Sequence, residues 1–350
     1  MGHWPRPNSR TRTFHRASLT RWGSESGDGM KRRELITLLG GAAMVWPLAA
    51  RAQRKLPLIG FLEGGSVSSP EVRRGLAEHG YILGIDYDLA TTWSESQQDR
   101  LVANSTDLVR RGAAVILAVG NEAALAAKAA TNSIPIIFLA AYDPIATGLV
   151  NSLNRPGGNL TGAASLATDL MGKKFEILHE LAPTASSAVV LVNSTNKLLA
   201  DTEIREAQIA AQALGLHLSI AKVATIADVG AALEAVPGDG AAILVIGAGP
   251  QLFAAGNHLA YLATRNKVPT IYGARQFAES GGLVSFGTRV ADGWYLMGVY
   301  AARVLKGEKP ADLPVQQITK TELVINLHAA KAIGLVVPPT LLGRADEVIE

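Results

Sequence analysis

From Leu56 onward the chain alternates short apolar runs rich in β-branched residues with longer stretches whose apolar positions recur at helical spacing. Runs that are apolar at every position mark strands covered on both faces, as in a parallel sheet between two helical layers. The pattern predicts strands at 56–62, 86–92, 114–119 and 135–140, with helices at 70–79, 97–111 and 122–131 between them. A second series opens at Ser187 with the apolar run 188–192 and continues with strands at 216–223, 241–246 and 269–273, separated by helices at 200–214, 226–235 and 251–266. The order of elements is the same in both series.

Details recur as well. Ala113-Ala114-Val115-Ile116-Leu117 ahead of Gly120 parallels Ala241-Ala242-Ile243-Leu244-Val245 ahead of Gly247. Pro135 and Pro269 each open the strand that follows, where a missing N–H does least harm. Agreement over seven successive elements predicts an α/β protein of two similar doubly wound parallel-sheet lobes.

The tail predicts a strand at 283–287, a helix at 292–306 and a strand at 323–326, too little to bury a core of its own. These elements must join the existing sheets, which gives a hinge of several strands. The expected division is 53–162 with about 288–320 in the N-terminal lobe, and 163–287 with about 321–350 in the C-terminal lobe.

Composition narrows the class. The 350 residues are 48% hydrophobic and 18% charged, enough for a large core, which excludes a disordered or fibrous chain. The net charge of +3 is misleading, because residues 1–52 hold nine Lys and Arg against three Asp and Glu, leaving 24 basic and 27 acidic side chains beyond. A mildly acidic body gives no electrostatic reason to expect nucleic acid as a partner. Cysteine is absent, so disulfides, thiolate metal sites and cysteine nucleophiles are excluded.

The basic surplus sits in what looks like an address. Lys31-Arg32-Arg33 precedes an apolar run from Leu35 to Ala50 and then Ala50-Arg51-Ala52, a small-x-small cleavage site. Residues 30–52 are therefore expected to be a signal peptide removed before Gln53, leaving a soluble periplasmic product. The paired arginines fit the twin-arginine route and the general secretory route alike. Residues 1–29 lack apolar periodicity and stand ahead of Met30, as an upstream extension from a start assigned too early would.

In an open parallel sheet the ligand meets the loops at the carboxyl ends of the strands. The first is Glu63-Gly64-Gly65-Ser66-Val67-Ser68-Ser69-Pro70, in which Pro70 suits a first helical position and Ser69 an N-cap. A helix start with free N–H groups beside the hydroxyls of Ser66, Ser68 and Ser69 suits a carboxylate, with Gly65 admitting close approach and Glu63 available for an ammonium. Asn121, Tyr142 and Asp143 follow the third and fourth strands; capping is the stronger role for Asp143, whereas Tyr142 offers a stacking face. Asn193, Asn196 and Tyr272 take the corresponding places in the second series, and Phe286 stands on the strand beyond.

Other motifs fail. Ile246-Gly247-Ala248-Gly249 starts a dinucleotide fingerprint, but Leu252 occupies its third glycine. The histidines at 79, 179, 217, 258 and 328 are dispersed, and neither a nucleophile elbow nor a phosphate-binding loop occurs. No catalytic residue, cofactor or metal is therefore expected.

The leader Arg32-Arg33-Glu34-Leu35-Ile36-Thr37-Leu38-Leu39-Gly40-Gly41-Ala42-Ala43 resembles that of a large family of ABC-transporter substrate-binding proteins. Asp143-Pro144, Gly148-Leu149-Val150, Ser152 to Asn159, Thr161-Gly162, Ala311 to Gln317 and Val337 to Leu342 resemble its body signatures. The resemblance covers residues 30–350. It implies the type I periplasmic-binding-protein fold, kinship with tryptophan- and tyrosine-binding members and an ABC permease in the inner membrane as partner to a monomer. Gly273 stands where relatives often carry an acidic residue, and Phe286 where they carry Tyr. The expected ligand is a small carboxylate-bearing solute, an amino acid or related compound, held between the lobes. A secreted α/β enzyme using Glu63 or Asp143 as a base, and a periplasmic sensory module, are the competing functions.

Overall fold

The computed structural model describes residues 55–62, 70–94, 98–165, 170–236 and 241–350. The expected leader with its cleavage site, and the loop carrying Glu63, Gly65, Ser66, Ser68 and Ser69, lie outside the described residues.

Two sheets account for the strands. The first contains β1 (Leu58–Leu62), β2 (Asp88–Thr92), β3 (Val115–Val119), β4 (Ile136–Ala140) and β5 (Leu160–Ala164). The second contains β6 (Ser187–Asn193), β7 (His217–Val223), β8 (Ala242–Ile246), β9 (Thr270–Tyr272) and β10 (Val284–Thr288). The chain then adds β11 (Gln316–Gln317) to the first sheet, and β12 (Thr321–Asn326) and β13 (Glu347–Ile349) to the second. The orders are β11-β5-β4-β3-β1-β2 and β13-β12-β10-β9-β8-β6-β7. All named pairs are parallel except β10 with β12.

Both faces of each sheet are buried, which is why the strands read as continuous apolar runs. Along β3, Ile116 and Ala118 enter one core with Leu101, Leu108 and Ala124, while Val115 and Leu117 enter another with Val72, Leu76 and Met297. The second sheet repeats the device: Ile243 and Val245 face Phe175 and Leu178, and Leu244 and Ile246 face Leu233, Leu252 and Leu259. Truncating a fully buried Leu such as Leu117 to Ala costs about 2–5 kcal/mol through lost transfer energy and the cavity left behind.

The tail crosses between the sheets because its helix has a fixed seat on the first. Helix Val290–Leu305 lies against helix Pro70–Ala77 so closely that a Cβ on Gly75 would come 2.5 Å from the Tyr295 carbonyl oxygen. A Cβ on Gly298 would come 2.2 Å from that of Val72. Only paired glycines permit this approach. The Thr161 hydroxyl then donates to the Leu313 carbonyl at 2.6 Å, fastening the segment that leads into β11. The chain thus passes between the sheets after β5, after β10 and after β11.

Some elements differ from the sequence expectation. The helix expected at 251–266 is two, Pro250–Ala254 and Gly256–Arg265, because Ala255 takes ψ near 0° and Gly256 favours a break. The helix expected from 200 starts at Lys197, since the Asn196 side chain accepts from the Leu199 N–H at 3.0 Å and caps it. The segment from 141 to 186, for which no element was expected, holds β5 and helix Met171–Leu181. β5 is Leu-Thr-Gly-Ala-Ala, buried throughout yet nearly devoid of the β-branched residues that announce a strand.

Candidate functional site

The parallel strands bring their following loops to one edge of each sheet. On the first sheet, Asn121 is fully buried at the start of helix Asn121–Ala130. Its Oδ1 accepts from the Ala141 and Tyr142 N–H groups at 2.9 and 3.4 Å. Its Nδ2 donates to the Tyr142 carbonyl at 3.1 Å and lies 3.4 Å from Thr147 Oγ1. Asn121 therefore pins the loop after β4 onto the end of β3.

That loop presents Tyr142, whose hydroxyl donates to Glu122 Oε1 at 2.7 Å. Burial, followed by the adjacent Glu122 carboxylate, raises the Tyr142 hydroxyl above its ordinary pKa, so it remains a donor. Asp143 is exposed and turned back on its own chain, its Oδ1 accepting from the N–H groups of Ile145 at 2.7 Å and Ala146 at 3.2 Å. This is the capping geometry of a turn.

On the second sheet, Asn193 is buried at the end of β6 and its Oδ1 accepts from the Thr195 N–H at 3.0 Å and hydroxyl at 2.8 Å. Asn196, besides capping its helix, donates through Nδ2 to Glu122 Oε1 at 2.8 Å and bonds the Tyr142 hydroxyl. Two residues singled out in the sequence, Tyr142 and Asn196, thus meet from opposite sheets, with Glu122 between them. Glu122 carried no motif of its own.

A cavity of about 650 Å³ is lined by Trp93, which follows β2 of the first sheet, and by Phe253, Tyr272, Gln276 and Phe277, which belong with the second. Trp93 and Phe253 are 44% and 55% exposed, so their faces are available. Tyr272 is buried, with its ring 5.6 Å from Phe277 and inclined at 49°. Phe286, half-buried on β10, packs against the second sheet's core and is not among the residues lining the cavity. Trp93 and Phe253 were missed in the sequence, although a solitary aromatic directly after a strand, as Trp93 is, is a usable signal in a chain with 5% aromatic residues.

Below the ends of β8 and β9 lie two charged side chains, Lys174 and Glu203, with only 3% and 1% exposure. Glu203 Oε1 accepts from the Ala248 N–H at 2.5 Å, and burial pushes its carboxyl up to about 7 against the pull of that bond and of Lys174. Burial likewise lowers the Lys174 ammonium pKa, against the attraction of Glu203. No group of His, Asp and Glu able to hold a metal occurs among the described residues.

Two sheets of the same winding, three chain crossings and a cleft walled from both sides define a type I periplasmic-binding-protein fold, the architecture of a ligand clamp. The chain belongs to the ABC transporter substrate binding protein family, whose model matches residues 61–349. It is 28% identical over 248 residues, 71% of this chain and 68% of the relative, to a tyrosine-binding protein of Clostridioides difficile. A structure of an ABC domain in complex with L-Trp from Streptococcus pneumonia superposes with a TM-score of 0.73 at 26% identity, covering 84% of this chain and all of the other. A conserved domain protein from Vibrio cholerae gives a TM-score of 0.74 at 25% identity, covering 85% of this chain and all of the other.

Proposed function

We propose that this protein is the exported solute-binding component of an ABC importer, closing its two lobes on a small amino acid with an aromatic side chain. The observation that carries the ligand class is the cavity between the sheets, where Trp93 faces Phe253, Tyr272 and Phe277. Aromatic walls with a few polar anchors suit an aromatic ring, which gains from stacking as well as from burial. The tyrosine-binding relative and the L-Trp complex of the similar structure support the same class.

The lobes are taken as 53–162 with about 288–320, and 163–287 with about 321–350. The three crossings support this division and give closure a hinge. From the first lobe, the Ser66-Ser68-Ser69 group is assigned one oxygen of the solute's carboxylate, which leaves the other open to the second lobe. Changing Ser66 and Ser69 to Ala is expected to weaken binding by about 1–3 kcal/mol for each lost charge-assisted bond.

With cleavage before Gln53 the product is a soluble periplasmic monomer that delivers its solute to an inner-membrane permease. Binding rather than turnover is supported by the solute-binding family and relatives that the chain matches. Native mass spectrometry of protein purified without refolding tests the class: a retained aromatic amino acid is expected. A retained sugar, or conversion of an added amino acid to product, would overturn it.

A further inference from the structure

We propose that Lys174 and Glu203 form the charged floor of the solute site, Lys174 Nζ receiving the carboxylate of an amino acid and Glu203 Oε2 its ammonium. This rests on the amino-acid reading above and names the groups of the second lobe that would enforce it.

Both side chains reach the carboxyl edge of the second sheet from helices packed beneath it. Lys174 lies in the first turn of helix Met171–Leu181, and Glu203 in the second turn of helix Lys197–Ala213. Lys174 Nζ is 3.5 Å from the carbonyl of Ile246, the last residue of β8. A Cβ on Gly273, the first residue after β9, would stand 3.4 Å from the same nitrogen. A Cβ on Gly247 would stand 2.5 Å from Glu203 Oε2. The two charges therefore occupy adjacent strand ends, where glycines clear the backbone around them.

Among the described residues, neither charge is fully satisfied. An ammonium has three donors, and Lys174 makes one long bond; Glu203 Oε2 has no hydrogen-bond partner. Lys and Glu of such burial normally occur only when paired, and their separation here is too great for a salt bridge. Among the described residues, Gln251 Oε1 and Ser285 Oγ, near the ends of β8 and β9, are likewise buried without partners, so they gather with Glu203 Oε2 at this edge. A zwitterion supplies what is lacking, an acceptor for Lys174 and a donor for Glu203. Lys174 and Glu203 are not themselves among the residues lining the aromatic cavity, but Tyr272 is, and its hydroxyl is raised by burial and then by the nearby Glu203 charge.

Calorimetry with L-tryptophan, L-tyrosine, tryptamine and indole-3-propionate separates this from a purely structural role. Wild-type protein is expected to bind an amino acid at least tenfold more tightly than the analogue lacking either charge, the worth of one charge-assisted hydrogen bond of roughly 1.5–3 kcal/mol. Lys174→Met should weaken amino-acid and indole-3-propionate binding by about 10- to 100-fold while leaving tryptamine unchanged. Glu203→Gln should weaken amino-acid and tryptamine binding while leaving indole-3-propionate unchanged. If wild type binds amino acids but does not discriminate against the analogues, the floor is refuted even should both variants fail to fold. Equal weakening of every probe in a folded variant would also refute it, as that is the signature of a brace. If neither amino acid binds at all, the amino-acid reading falls and the floor with it.

Discussion

The two strand-end regions are built from the same kind of loops yet treat their polar groups in opposite ways. At the first sheet, Asn121 uses both ends of its amide, Tyr142 bonds Glu122, and Asp143 caps its own turn. At the second, Lys174, Glu203 Oε2, Gln251 Oε1 and Ser285 Oγ are buried with bonds missing. A satisfied network holds a shape, whereas a half-satisfied one stores a free-energy cost that a suitable ligand removes. Among the described residues, the first sheet thus supplies a frame and the second supplies unmet charge.

The largest effect that would break this contrast is expected at Glu203. Its carboxyl holds its proton up to about pH 7 when folded, against 4.5 as its ordinary value. Folded protein therefore binds more protons than unfolded across that window, and stability falls as pH rises from about 4.5 to 7. Glu203→Gln should remove this fall and leave the variant more stable above pH 7, by on the order of 3 kcal/mol. Urea melts of both proteins at pH 4.5 and 8 read it directly; parallel pH profiles would show that Glu203 is not strained.

Asn121→Ala should act in the opposite sense, destabilising by roughly 2 kcal/mol because it orphans buried backbone groups of the loop after β4. Unchanged denaturant midpoints would mean that the first sheet's frame is not needed. Asn196→Ala removes a helix cap worth about 1 kcal/mol together with the bond to Glu122. Small-angle scattering of the solute-free variant should therefore show a larger radius of gyration than wild type, and an identical one would deny this contact a part in closure. Smallest is Asp143→Ala, expected to cost under about 1 kcal/mol and to leave solute affinity untouched, as its carboxylate is committed to its own turn. Calorimetry showing weaker solute binding would return Asp143 to the site.

Much of the frame was legible in the sequence because sheets buried on both faces must be written as unbroken apolar runs. The tail was legible in part: Gly75 and Gly298 bring two helices together across more than two hundred positions, which no local pattern displays. β5 escaped because Gly and Ala fill positions where the packing is tight. Tyr142 and Asn196, singled out by their place after strands, do meet across the two sheets. Lys174 and Glu203 were not, yet a trace existed. Lys174 falls on the face shared by Met171 and Leu178, and Glu203 on that shared by Leu199, Ala207 and Ala210, so each is a charge on the apolar side of an amphipathic helix.

The central claim is that this chain is a clamp for an aromatic amino acid, and one titration tests it most directly. Small-angle scattering is recorded while L-tyrosine or L-tryptophan is added to saturation, with occupancy followed by intrinsic fluorescence. The account predicts that the radius of gyration of the solute-free ensemble falls as occupancy rises and levels off with it. A profile that stays unchanged at full occupancy, or the absence of binding by both amino acids, would contradict it.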